Sequence, residues 1–169
     1  MFGDWLFRQS LGTLITAFNG INMIVFLNGK FLTDDEAQVS VADPGFLYGW
    51  GLFETMRAYQ NHIVYLEAHL ERLRRSSARI KVELPYSLSK LKKIIQKTVC
   101  LNASADAYVR LTLWKKEKGS GILVEAKNYQ AYPVKVYKEG FSAGISRFRQ
   151  DEQSLLFRIK STNRIIYQL

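Results

Sequence analysis

The chain has 169 residues, 47% of them hydrophobic and 13% aromatic, enough to bury the core of one domain and too apolar for wholesale disorder. Its single cysteine, Cys100, excludes an intramolecular disulfide and any multi-cysteine metal site, and no metal is expected. The balance of 24 Lys+Arg against 15 Asp+Glu, net +9, favours anionic partners, but the basic residues are scattered and carry no nucleic-acid motif, so an anionic small molecule is expected rather than DNA or RNA.

No run approaches the ~18 apolar residues of a membrane span. With one cysteine the composition fits a reducing compartment, and a cytoplasmic location is expected. Residues 1–22 have a faint signal-peptide look. However, Asp4 sits where positive charge belongs, and Arg8 and Gln9 interrupt the apolar stretch. They are expected to form a poorly ordered extension before a domain over 23–148.

In chain order, 24–27 is a short apolar strand closed by the hairpin signal Asn28-Gly29, and Phe31 and Leu32 begin the return strand. Residues 38–41 alternate as a further strand, and Asp43-Pro44-Gly45 is a turn. Residues 45–51 form a glycine-rich, aromatic loop, in which Phe46, Tyr48 and Trp50 suit a pocket wall. A strand over 52–59, a turn over 60–62 and a short return follow. From 66 to 80 the period becomes helical, with Leu66, Leu70, Leu73 and Ile80 on one face. Acidic residues lie early and basic residues late, as the helix dipole favours. Ser87 caps a second helix marked by Leu88, Leu91, Ile94, Ile95 and Val99, in which Cys100 reads as a small core residue. A strong strand over 107–114 and a charged loop over 115–121 lead to a strand pair, 129–137 with 141–148, and a strand-like 155–159. Short strands, two helices and more strands give an α+β domain with an antiparallel-rich sheet.

Taken singly, the polar candidates are modest. Lys160 follows an apolar run and precedes Ser161-Thr162-Asn163, which suits a helix cap; an active lysine there needs desolvation or cationic neighbours. Arg72 lies off its helix's apolar stripe, either as a surface residue or as a guanidinium that clamps a phosphate. His69 suits the helix surface. Tyr108 and Arg110 alternate with Val109 and share a strand face, exposed or turned to a substrate carboxylate.

Together, and in order, four segments resemble the class IV aminotransferase family, the fold-type IV pyridoxal-phosphate enzymes. They are Gly45-Phe-Leu-Tyr-Gly-Trp-Gly-Leu-Phe-Glu-Thr-Met-Arg57, His69-Leu-Glu-Arg72-Leu73, Tyr108-Val-Arg110 and Arg158-Ile-Lys160-Ser-Thr-Asn163. The resemblance covers essentially Met23 to the end. It implies that Lys160 binds pyridoxal 5'-phosphate covalently and later transfers protons, and that Arg72 holds the cofactor phosphate. Phe53, Tyr108 and Arg110 would line the substrate side, and the parent enzyme would be a homodimer acting on an anionic amino substrate.

Within the family, Phe53-Glu54-Thr55 and the tail through Arg164 resemble the 4-amino-4-deoxychorismate lyases, in which a threonine at the Thr55 position helps to handle protons. Such an enzyme releases pyruvate and 4-aminobenzoate. Branched-chain and D-amino-acid aminotransferases are the alternative branches. Trp50 replaces the aspartate usual between the loop glycines. Family members continue past the lysine into a second domain, whereas this chain ends nine residues after Lys160. Residues 149–169 are therefore expected to begin an incomplete second domain, in a fragment or an inactive truncated module.

Overall fold

A computed structural model of the chain describes residues 22–102, 106–145, 151 and 153–165. Residues 1–21 and 146–150 lie outside the described residues, as does most of the expected N-terminal extension.

Among the described residues, six strands form one antiparallel sheet in the order β2-β1-β6-β5-β3-β4. Strand β1 (Ile24–Leu27) and β2 (Lys30–Thr33) make a hairpin whose turn residues, Asn28 (φ 48°) and Gly29 (φ 107°), both take positive φ. That turn matches the right-handed twist of the paired strands. The long β3 (Gly51–Tyr59) turns at Gln60 and Asn61, again both with positive φ, into the two-residue β4 (His62–Ile63). Strands β5 (Asp106–Lys115) and β6 (Ser120–Asn128) form the central pair, and β6 also pairs with β1.

Two amphipathic helices cover one face of this sheet. Helix α2 (Leu66–Arg79) buries Leu66, Leu70 and Leu73, the stripe its 3.6-residue spacing dictates, against β3. Helix α3 (Leu88–Leu101) lays Leu91, Ile95 and Val99 over β6 and β1. The Ser87 side chain accepts a hydrogen bond from Lys90 N at 3.3 Å and caps α3, as its sequence indicates. At the other end, Asn102 Nδ2 donates to the carbonyls of Thr98 and Ile24, and Oδ1 accepts from Ile24 N, so one side chain ties the helix to β1. The strands supply Leu52, Met56, Val109, Leu111, Ile122 and Val124 to the same core. Among the described residues, the sheet's other face is open but for the segment around Lys160 and the short α1 (Pro44–Tyr48), which covers Trp114, whose Nε1 donates to Asp43 at 2.8 Å.

The fold is thus α+β and antiparallel, as expected, but several elements differ from the sequence reading. Among the described residues, 38–41 pair with no strand, and Val39 and Val41 are exposed: their alternation has no described backbone beside it to use. The 45–51 loop begins with a turn of helix. Residues 120–128, taken partly as loop, form β6, whose inward side chains Ile122, Val124 and Ala126 are fully buried. The expected strand over 129–137 is replaced by α4 (Val134–Glu139), started by Pro133, whose fixed φ suits a helix N-terminus. Its partner over 141–148 is no strand as far as it is described. Residues 155–158 form a 3-10 turn rather than a strand. Cys100 is exposed, because its position on α3 falls between the buried Val99 and the helix end.

Candidate active site

Lys160 is held in place by backbone. After the 3-10 turn Leu155–Arg158, the chain runs antiparallel beside the free edge of β3: Phe53 N donates to Lys160 O at 2.9 Å, and Thr162 N to Gly51 O at 3.0 Å. Thr162 Oγ1 adds a bond to Gly49 O at 2.8 Å. Gly51 permits this approach, since a Cβ there would stand 2.8 Å from Leu113 O and 2.9 Å from Thr162 Oγ1.

This docking brings the Lys160 amine to 3.1 Å from Thr55 Oγ1 and to 5.1 Å from the Phe53 ring centroid. Phe53 and Thr55 are two apart in β3 and share the open face of the sheet. Arg110, opposite Thr55 in register, lies on that face too, with its guanidinium carbon 4.2 Å from the Phe53 centroid. Burial pushes the Lys160 amine below its ordinary pKa. The Glu54 carboxylate opposes that shift, and the Arg72, Arg164 and Arg110 guanidinia reinforce it.

Glu54 points the other way, into the helix layer, where Leu52, Met56 and Ala58 are its neighbours along the strand. Its side chain is only 2% exposed, so its charge requires partners. Arg72 donates through Nε to Oε1 at 2.8 Å and through a second nitrogen to Oε2, and His69 Nδ1 lies 2.8 Å from Oε2. These bonds keep Arg72 protonated even more firmly than an ordinary arginine. They use one edge of its guanidinium, and with the side chain 46% exposed the other donors remain available.

Of the sequence candidates, Lys160, Thr55, Phe53 and Arg110 come together. Arg72 stands on the helix side of β3, near enough for its charge to act on Lys160. Tyr108 is one row further along the open face, opposite Arg57. There it lines a cleft of about 700 Å³ with Lys127, Tyr129 and Tyr132. Tyr48 and Trp50, with Arg79, Lys81 and Asn163, line a cavity of about 360 Å³ beside the Lys160 segment, as expected of a pocket wall; Phe46 does not line it. Ser161-Thr162-Asn163 fixes the segment to β3. Sequence reasoning passed over Glu54 and Arg164. The signal for Glu54 was available, a carboxylate on the apolar face of an alternating strand, whereas Arg164 stood in the resembling tail without a role of its own.

This arrangement can do amine chemistry: a half-buried primary amine of lowered pKa sits beside a hydroxyl, with guanidinia around it. Residues 51–169 match the family model described as amino-transferase class IV. The chain belongs to the class IV aminotransferase family, whose members are pyridoxal-phosphate-dependent aminotransferases and lyases. It is 28% identical to a D-alanine aminotransferase of Bacillus licheniformis over 83% of this chain and 52% of that protein. It is 33% identical to an aminodeoxychorismate lyase of Bacillus subtilis over 53% of this chain and 31% of that protein. The crystal structure of a branched-chain aminotransferase from Thermoproteus uzoniensis superposes with a TM-score of 0.75 at 30% identity, over 86% of this chain and 53% of that one. The chain spans about half or less of the length of these family members.

Proposed function

We propose that Lys160 carries pyridoxal 5'-phosphate and that the chain is the lysine-bearing part of an enzyme of the 4-amino-4-deoxychorismate lyase branch. The observation that carries this reading is the 3.1 Å contact between the Lys160 amine and the Thr55 hydroxyl. The donor set suits an aldehyde-bearing phosphate: an amine of lowered pKa for the aldehyde, and the unused donors of Arg72 for the phosphate. Bound there, the cofactor supplies an electron sink for the charge that develops beside the substrate nitrogen.

The protein's own part is positioning and proton transfer. Backbone bonds from Phe53 and Gly51 fix the lysine, and the Thr55 hydroxyl holds its amine over Phe53. An amine kept below its ordinary pKa by burial is the better proton acceptor near neutrality. Glu54 holds Arg72 and His69 on the opposite side of the strand. A homodimer, an anionic amino substrate and a cytoplasmic location are part of the same proposal. No helix among the described residues is long and apolar enough to cross a membrane.

The test has two stages. The protein is incubated with pyridoxal phosphate and reduced with borohydride, and the modified peptide is located by mass spectrometry; label on Lys160 is expected, and none there would leave an inert module. Given label, 4-amino-4-deoxychorismate is supplied and release of 4-aminobenzoate and pyruvate followed. Transfer of amino groups from D-alanine or branched-chain amino acids without that release would assign the chain to the aminotransferases, a reading favoured by the likeness to the D-alanine and branched-chain enzymes.

A further inference from the structure

Trp50 builds a second concavity, beside the lysine segment but away from the amine. Its indole Nε1 donates to the Ile80 carbonyl at 2.9 Å, one of the carbonyls that the end of α2 leaves without a helical partner. That bond fixes the ring and leaves it 42% exposed. Trp50 and Tyr48 line the cavity of about 360 Å³ together with Leu155 and Leu156, and Arg79 and Lys81 add two positive charges. Its size falls within the roughly 300–1,000 Å³ of small-molecule clefts, which are likewise apolar with a few polar groups. The cavity contains no acidic side chain. On the same two helices Arg74 is paired with Glu71 and Lys92 with Glu67, whereas among the described residues no carboxylate pairs with Arg79 or Lys81. Ser161 and Asn163 complete the lining, and the bond from Thr162 Oγ1 to Gly49 O ties their segment to the loop that carries Trp50. Lys160, Phe53, Thr55 and Arg110 do not line the cavity.

We propose that this cavity is a second ligand site, for a planar aromatic carboxylate. The rings of Trp50 and Tyr48 and the two leucines take the aromatic body, where ring pairs gain more than buried area alone supplies. Arg79 takes the carboxylate through its planar fork of donors, and the Lys81 ammonium adds a point charge. The site stands apart from the cofactor reading of Lys160 and does not depend on it.

The chain is titrated with 2-naphthoate at constant ionic strength, by calorimetry and by the NMR signal of the Trp50 indole N–H, assigned through Trp50→Phe. Saturable binding with a dissociation constant below about 1 mM is expected, with a shift of that signal. The uncharged 2-naphthamide should bind about tenfold more weakly, the effect of losing the charge-assisted pair. The saturated decahydronaphthalene-2-carboxylate should bind about threefold more weakly, for want of ring contacts. Arg79→Gln should weaken naphthoate binding about tenfold. Lys81→Asn should weaken it less, asparagine being suited to the left-handed backbone there (φ 54°). Leu156→Glu, at a half-exposed position, sets a carboxylate in the cavity wall and should also weaken binding, with α2 left intact. Arg110→Gln and Arg75→Gln should leave it unchanged. Thermal unfolding confirms that each variant folds. No saturable binding by the folded protein overturns the proposal, as does equal affinity for the amide or for the saturated acid. So does a loss with Arg110→Gln as large as with Arg79→Gln, which would move the ligand to the face that bears the lysine amine.

Discussion

Glu54 and Thr55, adjacent in β3, serve opposite sides of the sheet. Glu54 engages Arg72 and His69 from α2, while Thr55 holds the Lys160 amine on the open face. Both halves of the candidate site therefore hang on one peptide bond of one strand, and the consequences of altering each differ in kind.

Glu54→Ala removes the buried carboxylate and leaves Arg72 and His69 without it. The loss is expected to be about 1–3 kcal/mol, the range for orphaned polar partners. It stays below that of a fully buried broken pair because the half-exposed Arg72 can return to water. Urea unfolding with an unchanged m-value would measure it.

Thr55→Val keeps the β-branched shape that suits the strand and deletes only the hydroxyl. Stability should change by no more than about 1 kcal/mol. Capture of pyridoxal phosphate by Lys160, followed by borohydride trapping, should slow by about 10²-fold, the lower end for loss of a positioned proton-transfer group. An unchanged capture rate would show that the hydroxyl does not assist the amine.

Lys160 links stability to pH. Its pKa is lowered in the folded protein, so between the folded and ordinary values the unfolded chain binds the extra proton, and stability rises with pH across that interval. Below the interval both states are protonated, and the folded state bears the full cost of the buried charge. The difference in stability between Lys160→Met and the unmodified protein should therefore be greatest at neutral pH and shrink as pH rises toward the ordinary lysine range. The same shift predicts that amine-directed acylation labels Lys160 at a lower pH than the surface lysines, readable by peptide mapping.

Gly121 and Gly144 make a controlled pair. A Cβ on Gly121 would stand 2.2 Å from the Trp114 ring, whereas nothing lies within 4 Å of one on Gly144. Gly121→Ala must displace a buried indole that is bonded to Asp43, and should cost about 1–3 kcal/mol or more. Gly144→Ala should leave the unfolding midpoint within error.

The exposed Cys100 should react with a thiol reagent in the native protein as fast as in denaturant, without prior unfolding. A strongly protected thiol would return it to the core, where its apolar neighbours suggest it belongs.

What the sequence made legible was whatever repeats. The stripes of α2 and α3, the Ser87 cap and the Asn28-Gly29 turn all arise from local periodicity or turn chemistry, and the structure follows them. Segments whose identity depends on a neighbour were misread. Residues 38–41 alternate like a strand but find no partner among the described residues, and 129–137 alternate until Pro133 favours a helix. Strand β6 was taken partly as loop because its apolar run, Ile122-Leu123-Val124, is short, and only Ile122 and Val124 of it face the core. The site divides in the same way: Lys160, Thr55, Arg72 and Arg110 were picked out by an ordered family pattern, whereas the approach of Arg164 to Phe53 is three-dimensional.

The alternation of β3 also governs which genetic changes the chain can survive. Point substitutions along 51–59 alter one group at a time. Insertion or deletion of a single residue between Gly51 and Glu54 would exchange the two faces for every position beyond it, turning the carboxylate into the open cleft and the threonine into the helix layer. Such a frame change severs the amine and the guanidinium from their partners at once, so variation in length among descendants of this gene should collect in the turns at 60–61 and 116–119 and spare the strand between them and the lysine.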